Sequence, residues 1–264
     1  GPFFPRRTVA STPRTTMAAP PRETFSFVDR RCWLDEAASE VVDLLVVGGG
    51  ITGAGVAREA ALRGLSVVLL DRGDFASGTS SRSSKLIHGG IRYWAQGDIG
   101  LVREAARERS ILRRIAPHLA QPVRMLIPAS SRAGRMKLTA GLWTFEKLAG
   151  DVDDAGHDIL DRSSAARLEP GLKPAAIAAG AIAFTEYTTN DARLTLETIK
   201  SAARSGARVA NYAEVVAIRP DSGGGARATV HDLADDGRLE VRARCVVNAA
   251  GPWFDVVNQL VDAG

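Results

Sequence analysis

A glycine-rich turn between a strand-like run and a helix-like run constrains the fold of this chain most strongly. The run Val41–Val47 reads VVDLLVV, and its almost wholly apolar character is typical of a strand buried on both faces of a parallel sheet. GGGITG follows at residues 48–53, and a helical pattern then continues until Gly64 ends it. Ser66–Leu70 predicts a second strand, which ends at Asp71. The order strand, turn, helix, strand predicts a βαβ unit.

The glycines of this turn predict a nucleotide site. Gly48 permits the tight turn, Gly50 lets the backbone approach a pyrophosphate, and Gly53 lets the helix pack closely on the strand. The amino terminus of the helix offers N–H groups and the positive end of the helix dipole to phosphates. Asp71 is placed to accept a hydrogen bond from a ribose hydroxyl. Because strand, helix and acid are all present, we interpret the turn as a dinucleotide site rather than as an ordinary glycine-rich turn.

A hydroxyl-rich loop follows the βαβ unit. Residues 74–85 read DFASGTSSRSSK, and a solvated loop is the simplest interpretation. However, residues 86–94 read LIHGGIRYW, and their apolar and aromatic character indicates that the chain returns to the interior. Since buried hydroxyl groups need hydrogen-bond partners, we expect the loop to lie beside a polar ligand.

Further helices and strands are predicted along the chain. Asp98 is a candidate cap for a helix from about Ile99 to Ile115, and Asn190 or Asp191 is a candidate cap for a helix that ends at Gly206. Strands are predicted at 122–129, at the end of 175–187, and at 214–219, 226–233, 238–244 and 245–248.

Two further segments have distinctive compositions. Arg135–Leu148 is amphipathic, and we interpret it as a core helix, with a membrane-surface helix as the alternative. Asp151–Asp161 is acidic and is predicted to be a loop.

Composition places the chain among ordinary soluble globular proteins. The hydrophobic fraction is 45% and the charged fraction 24%, and no apolar run approaches the roughly 20 residues that span a bilayer. A net charge of +4 gives no indication of a nucleic-acid partner. Cys32 and Cys245 are far apart in the sequence and have no metal-ligand spacing, so we interpret them as reduced and predict no metal site.

Residues 1–40 differ from the rest in composition. They are rich in Pro, Arg, Ser and Thr, with no acid before Glu23. We interpret them as a disordered extension, or as sequence preceding a start at Met17. A mitochondrial transit peptide is the alternative, although the prolines disfavour the amphipathic helix that such peptides form.

From Asp43 to Trp253 the sequence resembles the flavin-dependent glycerol-3-phosphate dehydrogenase family, within the D-amino acid oxidase-like flavoproteins. The most specific motif is SGTSSRSSKLIHGGIRYW at residues 77–94, and DARL at 191–194 also fits. RLEPGL at 167–172 and VVNAAGPW at 246–253 belong to the wider group. The resemblance implies an α/β fold, with a Rossmann-like FAD-binding domain and an incomplete, mainly antiparallel β substrate-domain portion.

The resemblance also implies an order of domains. After the extension at 1–40, it places a first part of the FAD-binding domain at 41–120 and a substrate-domain portion at 121–190. The second part of the FAD-binding domain follows at 191–264. Because the family continues well beyond the position of Gly264, we expect this chain to be an incomplete copy.

By resemblance, FAD contacts the glycine turn, the end of the second strand, the hydroxyl-rich loop and a late small-residue turn. The implied FAD-binding residues are Gly48, Gly49, Gly50, Ile51, Thr52, Gly53, Asp71, Arg72, Thr79, Ser80, Ser81, Ser83, Lys85, Leu86, His88, Gly89, Gly90, Ala249 and Gly251. Arg92 and Tyr93 match residues that bind the substrate, and an arginine fork suits a phosphate. For His88 we retain three interpretations: a flavin contact, a catalytic base for the substrate hydroxyl, or a buried, paired histidine.

The implied reaction is the FAD-dependent oxidation of sn-glycerol 3-phosphate to dihydroxyacetone phosphate, with electrons passed to a quinone. A glycerol-3-phosphate oxidase that uses oxygen and a non-catalytic FAD-binding fragment are the alternatives. An NAD-binding module would leave residues 79–93 without a purpose. The expected location is the cytoplasm, peripherally on the inner face of the cell membrane, or alternatively the mitochondrial inner membrane.

Overall fold

The computed structural model describes residues 25–88, 98–149 and 156–261. Contacts divide them into two compact units. The first contains the described residues up to Ser81 and from Thr195, and the second contains those from Arg82 to Leu194. Within these ranges, none of the helices combines the length and the apolar content that a membrane crossing needs.

The elements are numbered in chain order. The strands of the described ranges are β1 Val41–Val47, β2 Val67–Leu70, β3 Leu86–Ile87, β4 Gln121–Pro128, β5 His157–Leu160, β6 Ala181–Thr188, β7 Arg208–Ala210, β8 Ala213–Pro220, β9 Ala226–Asp232 and β10 Gly237–Asn248. The α-helices are α1 Arg30–Ser39, α2 Ile51–Leu62, α3 Ile99–Ile115, α4 Arg132–Ala149, α5 Arg162–Leu168, α6 Asp191–Arg204 and α7 Phe254–Asn258. Short 3-10 helices occupy Phe27–Asp29, Thr79–Ser81 and Gly251–Trp253.

The first unit is built on a six-stranded sheet in the order β7-β2-β1-β10-β9-β8. β1 lies parallel to both β2 and β10, whereas β9 runs antiparallel to its two neighbours, β10 and β8. Leu45 and Val46 of β1 are fully buried in two different apolar clusters, as expected for a strand covered on both faces. The cluster around Val46 includes apolar residues of α2 and α6. The predicted βαβ unit and the α/β class are confirmed.

The prediction of disorder up to residue 40 is wrong for the helical residues 27–39; residues 1–24 lie outside the described part. Trp33, Leu34 and Ala37 of α1 are buried in the core of the first unit. Arg30 binds both carboxylate oxygens of Asp232, at 2.5 and 3.1 Å. The prediction of disorder rests on the prolines and arginines that precede this segment. The buried residues of α1, at positions 30, 33, 34 and 37, instead follow the spacing of one helix face.

The strands of the first unit differ from the prediction at two places. Residues 238–244 and 245–248 were predicted as separate strands, but they form the single strand β10, because its beginning pairs with β9 and its end pairs with β1. The short strand β7 was not predicted; it extends the sheet at the edge of β2.

The second unit contains an antiparallel sheet. β6 pairs with β4 along its whole length and with β3 and β5 over shorter stretches. The predicted antiparallel character of this region is therefore confirmed. The acidic loop predicted at 151–161 is wrong at residues 157–160, which form β5 because they pair with β6; residues 150–155 lie outside the described ranges.

Two helices of the second unit agree closely with their predictions, whereas α5, at Arg162–Leu168, was not predicted. α3 has the predicted bounds, and the Asp98 side chain accepts a hydrogen bond from the Leu101 N–H at 3.0 Å. α4 begins three residues earlier than predicted, at Arg132. Leu142 of α4 is buried, as a core helix requires, whereas Met136 and Trp143 are exposed.

Candidate functional site

The glycine turn has the close backbone contacts that the sequence predicts. Gly48 has a φ of +114°, a conformation that disfavours any residue with a Cβ. A methyl group on Gly53 would lie 1.9 Å from the carbonyl oxygen of Gly48. Because α2 approaches the end of β1 so closely, position 53 has no room for any side chain.

Gly50 is explained differently. A methyl group on Gly50 would meet the Ser80 hydroxyl oxygen at 3.2 Å, a contact that a small movement of that side chain would relieve. The fold thus tolerates a small side chain here. The glycine instead suits a ligand that approaches the backbone, as expected for a pyrophosphate.

The amino terminus of α2 begins directly after Gly50, where the pyrophosphate is expected. Gly50 precedes the helix without a side-chain cap, and the Ile51 N–H donates to Ser80 Oγ at 2.9 Å. Thr52 is exposed in the first turn. Ser80 belongs to the 3-10 helix Thr79–Ser81, so the middle of the hydroxyl-rich loop lies beside the glycine turn. Helix N–H groups and a hydroxyl therefore surround a position suited to an anion.

Asp71 is held against this turn by backbone hydrogen bonds. One carboxylate oxygen accepts from the Gly49 N–H at 2.6 Å and the other from the Gly73 N–H at 2.8 Å. Burial raises the pKa of Asp71, while these two hydrogen bonds and the charge of Arg72 oppose the rise. Each carboxylate oxygen retains the capacity to accept a further hydrogen bond, as binding of a ribose hydroxyl requires.

The late small-residue turn lies in the same unit. The Ala249 N–H donates to the carbonyl of Val47 at 2.8 Å, and Gly251 adopts a φ of +55°. The Arg72 guanidinium stacks over the Trp253 ring, 5.3 Å from its centroid. Trp253 ends the VVNAAGPW motif and is not among the predicted site residues. The sequence gives no signal that pairs it with Arg72, because stacking depends on the tertiary fold.

Four further predicted residues, Ser83, Lys85, Leu86 and His88, belong to the second unit. Ser83 and Lys85 come together on one carboxylate, that of Asp191. Leu86 lies in β3 and His88 follows that strand as an exposed residue. From the sequence, Asp191 is predicted only as a helix cap and as part of the DARL motif, and that motif is the local signal that could have placed it in this cluster. The predicted residues Gly89, Gly90, Arg92 and Tyr93 lie outside the described residues.

The first unit fits the ADP half of FAD. The glycine turn and the start of α2 would hold the pyrophosphate, and Asp71 would hold the adenosine ribose. Ser81 Oγ donates to the Gly78 carbonyl at 3.2 Å and so helps to shape the loop after this site. A dinucleotide of the kind that the sequence predicts is thus compatible with the donors, with the acceptor and with the partly exposed backbone of Gly50, which has no side chain.

Replacing Asp71 with alanine should raise the FAD dissociation constant by about tenfold, the effect of one lost hydrogen bond to a charged group. Fluorescence titration of the flavin-free protein measures this constant. Asp74 is the matched control, because it is an exposed carboxylate three residues later that accepts hydrogen bonds from the Phe75 N–H and the Asn211 side chain. Unaltered FAD affinity in the Asp71→Ala variant would contradict the ribose role.

Comparison with known proteins identifies the family. The family model described as FAD dependent oxidoreductase, DAO, matches residues 43–264. The alpha-glycerophosphate oxidase of Enterococcus casseliflavus is 39% identical over 243 residues, which cover 90% of this chain and 40% of that protein. The aerobic glycerol-3-phosphate dehydrogenase of Bacillus subtilis is 37% identical over 237 residues, or 89% of this chain and 42% of that protein. The chain therefore spans about two fifths of the length of these relatives.

Solved structures agree with this result. The glycerol-3-phosphate dehydrogenase from Bacillus halodurans, complexed with FAD, matches with a TM-score of 0.68 and 35% identity over 88% of this chain and 38% of that one. The L-alpha-glycerophosphate oxidase from Mycoplasma pneumoniae with FAD bound has a TM-score of 0.63 at 20% identity, over 84% of this chain and 57% of that one, and shows the shared fold. The predicted fold and the FAD cofactor of the family are thereby confirmed, and the chain belongs to the FAD-dependent oxidoreductase family.

Proposed function

We propose that the complete protein oxidises sn-glycerol 3-phosphate to dihydroxyacetone phosphate. The observation that carries this proposal is the identity of 37–39%, over about nine tenths of this chain, with proteins named for glycerol phosphate. A flavoenzyme named for an amino acid, the glycine oxidase from Geobacillus kaustophilus, is 23% identical and supports the fold alone. Sequence similarity therefore favours a glycerol phosphate over an amine as the substrate.

The residues of this chain would bind and orient the reactants. When bound, FAD accepts the hydride that leaves the carbinol carbon of the substrate. Arg92 would hold the substrate phosphate with its guanidinium fork, and Tyr93 would contact the same end. As the hydride leaves, the hydroxyl proton needs an acceptor, and a neutral imidazole at His88 can fill that role. A flavin contact is the alternative role for His88.

Anaerobic reduction of the full-length protein tests this function. Glycerol 3-phosphate should bleach the flavin absorbance, whereas glycine should not. In the Arg92→Ala variant, the substrate concentration for half-maximal reduction should rise by about 30-fold, because a charged phosphate contact is lost. The exposed Arg107 provides the control substitution, Arg107→Ala, which should leave that concentration unchanged. If glycine bleaches the flavin and glycerol 3-phosphate does not, the proposed substrate is wrong.

A quinone is the proposed electron acceptor, with oxygen as the alternative. The compared relatives include proteins named as oxidases and as dehydrogenases, so identity alone does not choose between the two acceptors. Two rates distinguish these acceptors: the rate at which glycerol 3-phosphate reduces a water-soluble quinone without oxygen, and the rate of oxygen consumption without quinone. A quinone acceptor predicts that the first rate is the faster.

A quinone acceptor is consistent with a location on the inner face of the cell membrane; the mitochondrial inner membrane is the alternative. Support comes from α4, where Met136 and Trp143 are exposed and the Lys147 ammonium lies 5.9 Å from the centre of the Trp143 ring. Exposed apolar side chains beside a cation suit an anionic lipid surface.

A further inference from the structure

Asp191 is the centre of a hydrogen-bond cluster in the second unit. One of its carboxylate oxygens accepts from the Ser83 hydroxyl at 2.5 Å, and the other accepts from the Lys85 ammonium at 2.5 Å. The Ser83 oxygen also accepts from the backbone N–H of Lys85 at 3.0 Å. Asp191 therefore binds the Lys85 ammonium directly and supports the Lys85 backbone N–H indirectly, through the Ser83 hydroxyl.

The cluster acts on a backbone segment that needs support. Lys85 adopts a φ of +61°, in the left-handed region that a side chain with a Cβ disfavours. The strand that follows, β3, is only two residues long and pairs with β6 through Leu86 and Ile87. The Thr189 N–H adds one backbone hydrogen bond to the Lys85 carbonyl at 2.9 Å. Such a short ladder holds a segment weakly on its own, and the Asp191 cluster fixes its beginning.

The position of Asp191 suits this task better than a capping task. The amino-terminal cap of α6 is supplied by Asn190, whose side-chain oxygen accepts from the Arg193 N–H at 3.0 Å. Asp191 is thus available to bind Ser83 and Lys85, which lie 108 and 106 residues away in the sequence. Burial raises the pKa of Asp191, but the hydrogen bonds from Lys85 and Ser83 outweigh it and hold the pKa below its usual value. The carboxylate is therefore ionised at neutral pH.

We propose that Asp191 is a positioning residue that holds Ser83–His88 in the conformation required to bind FAD. The inference rests on the proposed function and on the family resemblance, which implies that Ser83, Lys85, Leu86 and His88 contact FAD. Because the Lys85 side chain is 44% exposed, its ion pair contributes little to global stability. Loss of Asp191 should therefore affect the conformation of this segment more than the folding of the chain.

The test compares Asp191→Ala and Asp191→Asn with the wild type in the full-length protein. Asp191→Ala should raise the FAD dissociation constant by about tenfold, the equivalent of one lost charge-assisted hydrogen bond. Asp191→Asn should recover part of this loss, because an amide can still bind the lysine and the hydroxyl. In the flavin-free protein, the Asp191→Ala variant should exchange the amide hydrogens of residues 83–88 faster than the wild type.

Asp158→Ala is the matched control. The Asp158 carboxylate binds Arg124 in an exposed ion pair of the same unit, outside the segment Ser83–His88. Its removal should change neither the FAD dissociation constant nor the exchange rates of residues 83–88. Equal losses of FAD affinity in the Asp158 and Asp191 variants, or unchanged affinity in both, would overturn the proposal.

The exchange measurement separates this inference from the proposed function. If glycerol 3-phosphate does not bleach the flavin of the wild-type protein, the proposed function fails, but weaker FAD binding and faster exchange of residues 83–88 in Asp191→Ala still support the positioning role. Unchanged exchange at those residues overturns that role whether or not FAD binds.

Discussion

Replacing Gly53 with alanine should abolish FAD binding and lower the free energy of unfolding by about 3 kcal/mol. The added methyl group would lie 1.9 Å from the carbonyl oxygen of Gly48. Because both groups are fixed by the backbone, no side-chain rotation can relieve this contact. α2 would have to move away from β1, and its amino terminus would then leave the position suited to a pyrophosphate. Flavin titration and chemical denaturation measure the two effects.

Gly55 is the matched control on the same helix. A methyl group at this position has no neighbouring atom within 4 Å. Since glycine is a poor helix former, Gly55→Ala should raise the free energy of unfolding by about 0.5–1 kcal/mol and leave FAD affinity unchanged. Normal FAD affinity in the Gly53→Ala variant would contradict the close-packing role of that glycine.

Arg30→Ala should lower the free energy of unfolding by about 3–5 kcal/mol, because it leaves a buried carboxylate without its main counter-charge. Asp232 is fully buried, and Arg30 binds both of its oxygens. The same guanidinium donates to the carbonyls of Asn211 and Tyr212, at 2.6 and 2.9 Å. Chemical denaturation measures the loss, which would be near zero if this part of the chain were a disordered extension.

The neighbouring Arg31 provides the control for Arg30. Its side chain is 55% exposed, pairs with the exposed Asp35 and Asp235 and lies farther from Asp232, at 3.7 Å, so Arg31→Ala should cost about 0–1 kcal/mol. Combining Arg30→Met with Asp232→Leu should recover most of the stability, because it removes the buried charge together with its partner. Failure of this double variant to recover stability would mean that Arg30 contributes mainly through the carbonyls of Asn211 and Tyr212.

Asp232 also makes stability depend on pH. Burial raises the pKa of Asp232. The opposing effects are larger, namely the hydrogen bonds from Arg30 and Ala234 and the positive charges of Arg30 and Arg31, so the net shift of this pKa is downward from 3.8. The stabilisation is therefore complete above pH 3.8 and is lost as the pH falls through the lower pKa of the folded state. Arg30→Ala should weaken this acid dependence. Arg31, at 3.7 Å from Asp232, should preserve part of it.

Features that depend on neighbouring residues were predicted well from the sequence. The strand β1, the turn at Gly48 and the cap at Asp98 follow from apolar periodicity, backbone freedom and side-chain capping within a few residues. The close approach at Gly53 was also predicted, since the glycine spacing of this motif reflects one specific backbone path.

Features that depend on distant residues were missed or wrong. α1 was assigned to a disordered extension because the composition of the preceding residues dominated the interpretation, whereas Arg30 and Trp33 are ordered by contacts made elsewhere in the first unit. β10 was divided in two because nothing local shows that one strand can pair with β9 at its beginning and with β1 at its end.

The sequence by itself determined the family, the cofactor and the local geometry of the glycine turn, because these follow from residue types at short, fixed spacings. Only the tertiary structure showed that Asp232 binds Arg30 and that Asp191 binds Ser83 and Lys85. The reason is physical: a carboxylate binds whichever cation or hydroxyl the fold brings within about 3 Å, and that choice is not encoded in the residues next to it.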